Sequence, residues 1–299
     1  MPTILRAYVP MMMSKKMAVL DLASQSMVAK VDVGATPFGV TVAPDGQLVY
    51  VANFNDDTVS VIDAAACAVV ATIPAGQSPG GLAVTPDGAQ IYVTNYNGDD
   101  VSVIDARSGT VTGAIQVGRN PGSPAISPDG GRVYVTNYHG GALSVINTAT
   151  GTVIATIPTG ERPNGVAVSP DGGRVYVTNS APDASSVSVI DPRTCAVVET
   201  RATESGPFGI AIGPDGERCY VTSYYTRNVV VMSAAGNAPV RVGRNPENIT
   251  LTPDGRSVLV TNRESDSVSV IDTATDAVTA TIPLDGNPGG IAVGAVSTL

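Results

Sequence analysis

The chain has 299 residues, 43% hydrophobic and 14% charged, with 32 Gly, 22 Pro and no Trp; such a length buries a large core, and such a composition excludes a disordered chain and favours short strands joined by turns. A net charge of −9 leaves no basic face to neutralise phosphates, so no nucleic-acid partner is expected. Three sparse cysteines (Cys67, Cys195, Cys219) make no disulfide framework, and no run reaches the roughly 18 apolar residues that cross a bilayer.

In chain order, the first segment, MPTILRAYVPMMMSKKMAVLDL, lacks a basic start followed by an apolar run, because Lys15 and Lys16 interrupt it. No secretion signal is read there, and with free thiols a cytoplasmic setting is expected. Within it ILRAYV (4–9) is strand-like, and Pro10 leads into MMMSKK (11–16), a soft surface. Next comes a rim-type loop, GATPFG (34–39), then a short strand, Pro-Asp-Gly at 44–46 and the box YVAN at 50–53. Pro-Asp-Gly returns at 86–88, 128–130, 170–172, 214–216 and 253–255, in steps of 42, 42, 42, 44 and 39. Six residues after each Pro stands a similar box: YVTN at 92, 134 and 176, YVTS at 220, LVTN at 259. Stepping back 42 from Tyr50 reaches Tyr8, in YVPM, so there are seven copies, and a fixed period of this length calls for a repeat architecture.

Each copy holds four β-type runs; in the third they are GLAVT (81–85), QIYVT (90–94), VSVID (101–105) and TVTGAIQV (110–117). Pro fixes φ in the Pro-Asp-Gly turn, Asp bonds the local backbone and Gly takes positive φ. No helical period is present. Small residues alternating with Val and Ile suit sheets buried on both faces, as in a β-propeller. The last segment, NPGGIAVGAV (287–296), is a first strand with no second, and the N-terminus begins on a second strand with no first. The C-terminal strand (288–296) is therefore expected to complete the N-terminal blade, sealing seven blades and removing exposed sheet edges. The fold class read here is all-β: a seven-bladed β-propeller with four antiparallel strands per blade, spanning 1–299.

The motif xSPDGxxVYVTNxxxxxVSVID resembles the YVTN-repeat family of seven-bladed β-propellers, over essentially the whole chain. The resemblance implies two faces. Pro-Asp-Gly turns and the turns after VID lie on one, called the bottom; the loops after the YVTN box and the GxxPxG loops, which rim a central channel, lie on the other, called the top. The Pro-Asp-Gly aspartates, and those ending the third strands, are then turn residues, and the box tyrosines are core.

The other seven aromatic residues, Phe38, Phe54, Tyr96, Tyr138, Phe208, Tyr224 and Tyr225, all map to top loops. So do His139, the sole histidine, and Arg119, Arg162, Arg227, Arg244, Arg263, Lys15 and Lys16. Aromatic and guanidinium groups on one face favour an aromatic or anionic organic partner. Departures from the repeat supply the break in symmetry that a site for one asymmetric ligand needs and that neutral drift also produces: Glu204 and Asp285 replace the rim glycine, Asn164 and Glu247-Asn248 follow rim prolines, and the loop SAPDASS (180–186) is two residues longer.

No zinc, iron–sulfur, phosphate-loop or dinucleotide pattern is present, and no cofactor is expected. Quinone-binding propellers use repeated Trp, which this chain lacks. The first functional reading is a propeller that binds a small organic ligand or a protein at its top face. The second is a cofactor-independent lyase, cyclase, isomerase or hydrolase at the same mouth. In that reading His139 or Glu247 is the base, Tyr225 the acid, and Arg227 or Arg244 stabilises developing charge.

Overall fold

A computed structural model describes residues 3–181 and 183–297. It contains seven four-stranded antiparallel sheets, each read here as a blade with strands a to d from the axis outward. The a strands of neighbouring blades pack on one another, whereas the d strands scarcely meet. Blade 1 is shared. Its b, c and d strands are Thr3–Met11, Lys16–Asp21 and Ser26–Asp32, and its a strand is Ala292–Ser297, paired from Thr3↔Ser297 to Tyr8↔Ala292. The expected 288–296 strand is thus slightly displaced: Pro288 makes only an isolated bridge to Met11 before regular pairing begins. Blades 2 to 7 follow in order; in blade 2 the strands are Pro37–Val42, Leu48–Asn53, Thr58–Asp63 and Ala68–Pro74. A short 3-10 turn at Arg263–Ser265 is the helical element among the described residues, and no helix there is long and apolar enough to cross a membrane.

The repeat motif has a physical reading, residue by residue. The box Tyr is core: Tyr8, Tyr92, Tyr134 and Tyr220 are among the largest fully buried side chains. The box Thr is a latch between blades. Thr178 Oγ1 accepts from Gly165 N in its own blade at 2.8 Å and donates to Phe208 O of the next at 2.7 Å. Thr94, Thr136, Thr222 and Thr261 donate in the same way to Gly122, Asn164, Glu247 and Gly289 carbonyls. Ala52 in YVAN and Pro10 in YVPM cannot.

The box Asn ties the rim loop to strand c. Asn53 accepts from Gly34 N at 3.0 Å and donates to Ser60 Oγ at 2.9 Å, which explains the Ser of VSVID. A Cβ on Gly34 would lie 2.5 Å from the Asn53 side chain, so the rim residue must be Gly wherever the box ends in Asn. This accounts for two departures that read as functional leads. Glu204 and Asp285 stand opposite Ser223 and Met11, the two boxes without Asn. Freed from the clash, Glu204 accepts from Thr226 Oγ1 and Asn228 Nδ2, and Asp285 pairs with Lys30. Pro182, in the longer loop 180–186, lies outside the described residues.

The bottom turns behave as read. Asp87 accepts from Thr85 Oγ1 and Ala89 N, and the hydroxyl contact holds its carboxyl below the usual range. Asp105 closes its turn on Ser108 N at 2.7 Å.

Candidate functional site

Strand a of blades 2 to 7 carries a bulge just inside its rim Pro, as between Pro37 and Val40 or Pro246 and Ile249. The extra residue re-aims the side chain after the Pro. Applying the repeat steps, that position is Phe38, Gly80, Gly122, Asn164, Phe208, Glu247 and Gly289 in successive blades. A second equivalent position, just after each box, holds Phe54, Tyr96, Tyr138, Ser180, Tyr224, Arg263 and, in blade 1, Met12.

These two rings meet in one cavity of about 400 Å³. Its wall includes Met12, Phe38, Phe54, Gly80, Tyr96, Gly122, Tyr138, Asn164, Phe208 and Arg263. Every blade contributes, so the cavity sits on the ring axis at the top. Its shape follows from unequal residue sizes: the glycines leave room and the rings wall it. Phe54 and Tyr96 approach at 6.1 Å between centroids. Burial, with a smaller contribution from Tyr138, pushes the Tyr96 hydroxyl pKa up, so it stays a neutral donor. Clefts on the other face are walled by Pro-Asp-Gly turns whose aspartates already close those turns.

The sequence candidates divide in space. Phe38, Phe54, Tyr96, Tyr138, Asn164, Phe208 and Arg263 are brought together in the cavity. Tyr224 stands behind Phe208 at 6.5 Å, and Tyr225, 75% exposed, packs edge-on against Tyr224 outside. Arg119, Arg162, Arg227 and Arg244 are exposed on the rim and outside the wall. Arg244 is turned onto the 3-10 turn after the box of its own blade, donating to Glu264 O at 3.0 Å. His139 is exposed, edge-on to Tyr138, with Nδ1 2.8 Å from Asn120 Oδ1. Asn248 donates to Gly289 O at 3.4 Å.

Glu247 is the outlier. It is 2% exposed, against the expectation of a rim group open to the channel, and it lies outside the wall that Phe38, Asn164 and Phe208 join from the equivalent position. Its Oε1 lies 3.6 Å from Arg263 Nη1, and its Oε2 has no partner. Burial pushes its carboxyl up to about 7 although Arg263 pulls it down. No hydrogen bond joins His139, Tyr225 and Glu247 among the described residues; each has separate neighbours. Nor is any group of three or more metal-ligating side chains gathered there. Sequence reasoning missed Met12, Gly80 and Gly122 as wall residues. The signal was available in the repeat register, which places Met12 among the aromatic residues after the boxes.

Several solved structures share this architecture. Kuenenia stuttgartiensis hydrazine synthase matches at 24% identity and TM-score 0.80, over 88% of this chain and 95% of that one. A functionally unknown protein from Desulfotomaculum acetoxidans matches at 16% identity and TM-score 0.85, over 96% and 98%. Dihydro-heme d1 dehydrogenase NirN in complex with DHE matches at 18% identity and TM-score 0.71, over 96% and 74%. At these identities the likeness is one of fold alone. No curated protein matches the chain. Two family models match in sequence: the YNCE-like beta-propeller over residues 42–126, and the choice-of-anchor I domain over residues 137–286, half of the chain. With seven closed blades and this repeat, the chain belongs to the choice-of-anchor I domain family and is a YVTN-type seven-bladed β-propeller.

Proposed function

We propose that this protein is a binding propeller whose axial top cavity holds a small organic molecule with a flat apolar group. The observation that carries this reading is the convergence of Phe38, Phe54, Tyr96, Tyr138 and Phe208 on one cavity of about 400 Å³. A concave, mostly aromatic site with a few polar groups is the usual form of a small-molecule site. Offset or edge-on aromatic contacts add roughly 0.5–1.5 kcal/mol each beyond area burial. NirN, which shares this fold at 18% identity, is itself a protein in complex with a small molecule, DHE.

Binding is favoured over catalysis because the groups that would form an acid–base set are dispersed. His139 faces Asn120, Tyr225 faces Tyr224 and solvent, and Glu247 faces Arg263. A protein partner would meet the exposed rim, where Met13 and Tyr225 stand clear of the surface. The test is saturation-transfer NMR with a panel of aromatic fragments on wild type, Phe38→Ala and Tyr138→Ala. Fragments should bind wild type and lose roughly tenfold or more in affinity in either variant, in line with about 1.4 kcal/mol per tenfold. Binding untouched by both substitutions, or mapped to the Pro-Asp-Gly face, would refute the reading.

A further inference from the structure

The two ring positions carry one acid and one base between them, and both fall in blade 7. Among the described residues, Arg263 is the one basic residue in the cavity wall and the wall holds no acid. Its guanidinium makes no hydrogen bond among the described residues; only its backbone is engaged, the N–H by Asn245 O and the carbonyl by Asn287 Nδ2, each at 3.0 Å. The contact to Glu247 at 3.6 Å is longer than a hydrogen bond. The fork of donors is therefore open toward the cavity, a geometry matched by a planar carboxylate. Behind it, the Glu247 side chain is 3% exposed with Oε2 orphaned. A buried carboxylate with one partner, outside hydrogen-bond reach, is costly, and that cost disappears when it takes a proton.

We propose, resting on the binding reading above, that the cavity takes an aromatic carboxylate whose acid group docks on Arg263, and that Glu247 accepts a solvent proton as the ligand arrives. The ligand carboxylate replaces Glu247 as the counter-ion of the guanidinium. Two carboxylates sharing one guanidinium repel, so the buried one is neutralised and the exposed one keeps its charge. No bond is made or broken; one proton moves from water to Glu247.

The surroundings leave Glu247 free to titrate on this one contact. The adjoining strands Pro207–Ile212 and Ser257–Asn262 carry no ionisable side chain. In Cys219–Ser223, burial pushes Cys219 up to about 11 and Tyr220 up to about 12, so both remain neutral. Arg263 is the charged group that acts on the carboxyl, and burial already holds it near neutrality, at about 7.

The test is isothermal titration calorimetry on the full chain, with benzoate, cinnamate and 2-naphthoate against their primary amides. Carboxylates should bind at least about tenfold tighter than amides at pH 6, and Arg263→Gln should erase that difference, as loss of a charge-assisted pair implies. Carboxylate affinity should fall about fivefold from pH 7 to 8 and about ninefold from pH 8 to 9 in wild type, approaching the slope of one linked proton above a carboxyl at about 7, and stay flat in Glu247→Gln. Buffers of different ionisation enthalpy should report proton uptake in wild type and none in Glu247→Gln. Amides binding as tightly as acids, or an unchanged Arg263→Gln, would overturn the anion assignment. If that binding is still lost in Phe38→Ala, the aromatic-cavity reading survives. A pH slope retained in Glu247→Gln would overturn the proton assignment. Failure of every acid and amide to bind wild type would overturn both readings.

Discussion

Replacing Glu247 by Gln keeps the shape of the side chain and removes its charge. In the folded chain the carboxyl titrates at about 7 against an ordinary 4.5, chiefly because it is buried. Between those values the native state holds a proton that the unfolded chain has lost, so native stability falls as pH rises through that window. Below about 4.5 both states are protonated and the charge costs nothing; above about 7 the full cost is present. At roughly 1.4 kcal/mol per pH unit, the difference is about 3 kcal/mol. Arg263 is partly exposed, so water can solvate its guanidinium once the carboxylate is gone. Urea unfolding, followed by circular dichroism, should show wild type and Glu247→Gln nearly equal at pH 4.5. At pH 8 the variant should be more stable by about 3 kcal/mol. A stability gap that does not change with pH, or a variant weaker at pH 8, would show that the ion pair outweighs desolvation and refute the reasoning.

Thr178→Val leaves Gly165 N and Phe208 O without their partner in a buried setting. At about 1–3 kcal/mol for each orphaned group, unfolding measurements should show a loss of roughly 2–6 kcal/mol; a loss below about 1 kcal/mol would remove the latch from the account of blade packing. Ser223→Asn in blade 6 should be destabilising alone, because Glu204 occupies the space, and Glu204→Gly should rescue it. A double-mutant cycle should give about 1 kcal/mol or more of coupling, and additivity would refute the Asn–Gly rule. Native protein at pH 8 should be alkylated by iodoacetamide at Cys67 and Cys195, both partly exposed, and spared at Cys219, which is buried with its thiol pushed up to about 11. Mass spectrometry showing Cys219 modified as fast as the others would contradict that burial.

Much of the fold was legible because it is periodic. Six Pro-Asp-Gly turns set the period, the step back from Tyr50 to Tyr8 supplied the seventh blade, and the cut at a missing turn pointed to the shared blade. The site was less legible, because which side chains at equivalent positions enter the cavity is not set by spacing. Glu247 follows a rim proline and so reads as an open channel residue, as Phe38 and Phe208 are; it is buried instead, where desolvation and Arg263 decide its state. His139 drew attention by being unique, yet uniqueness carries no position, and its loop leaves it outside the wall. Glu204 and Asp285 read as functional breaks in symmetry, but they stand where a steric rule links the rim residue to the last residue of the box, visible only when Gly34 is seen against Asn53.

The pairing that seals blade 1 sets Thr3 directly across from Ser297, with both chain ends leaving the sheet on the same side. A pulling force applied between those ends loads the rungs one after another, as in opening a zip, instead of shearing them all together. The ring, joined by packing between neighbouring inner strands, therefore has a soft direction. A tether at both ends would peel the inner strand of blade 1 before any other sheet is strained.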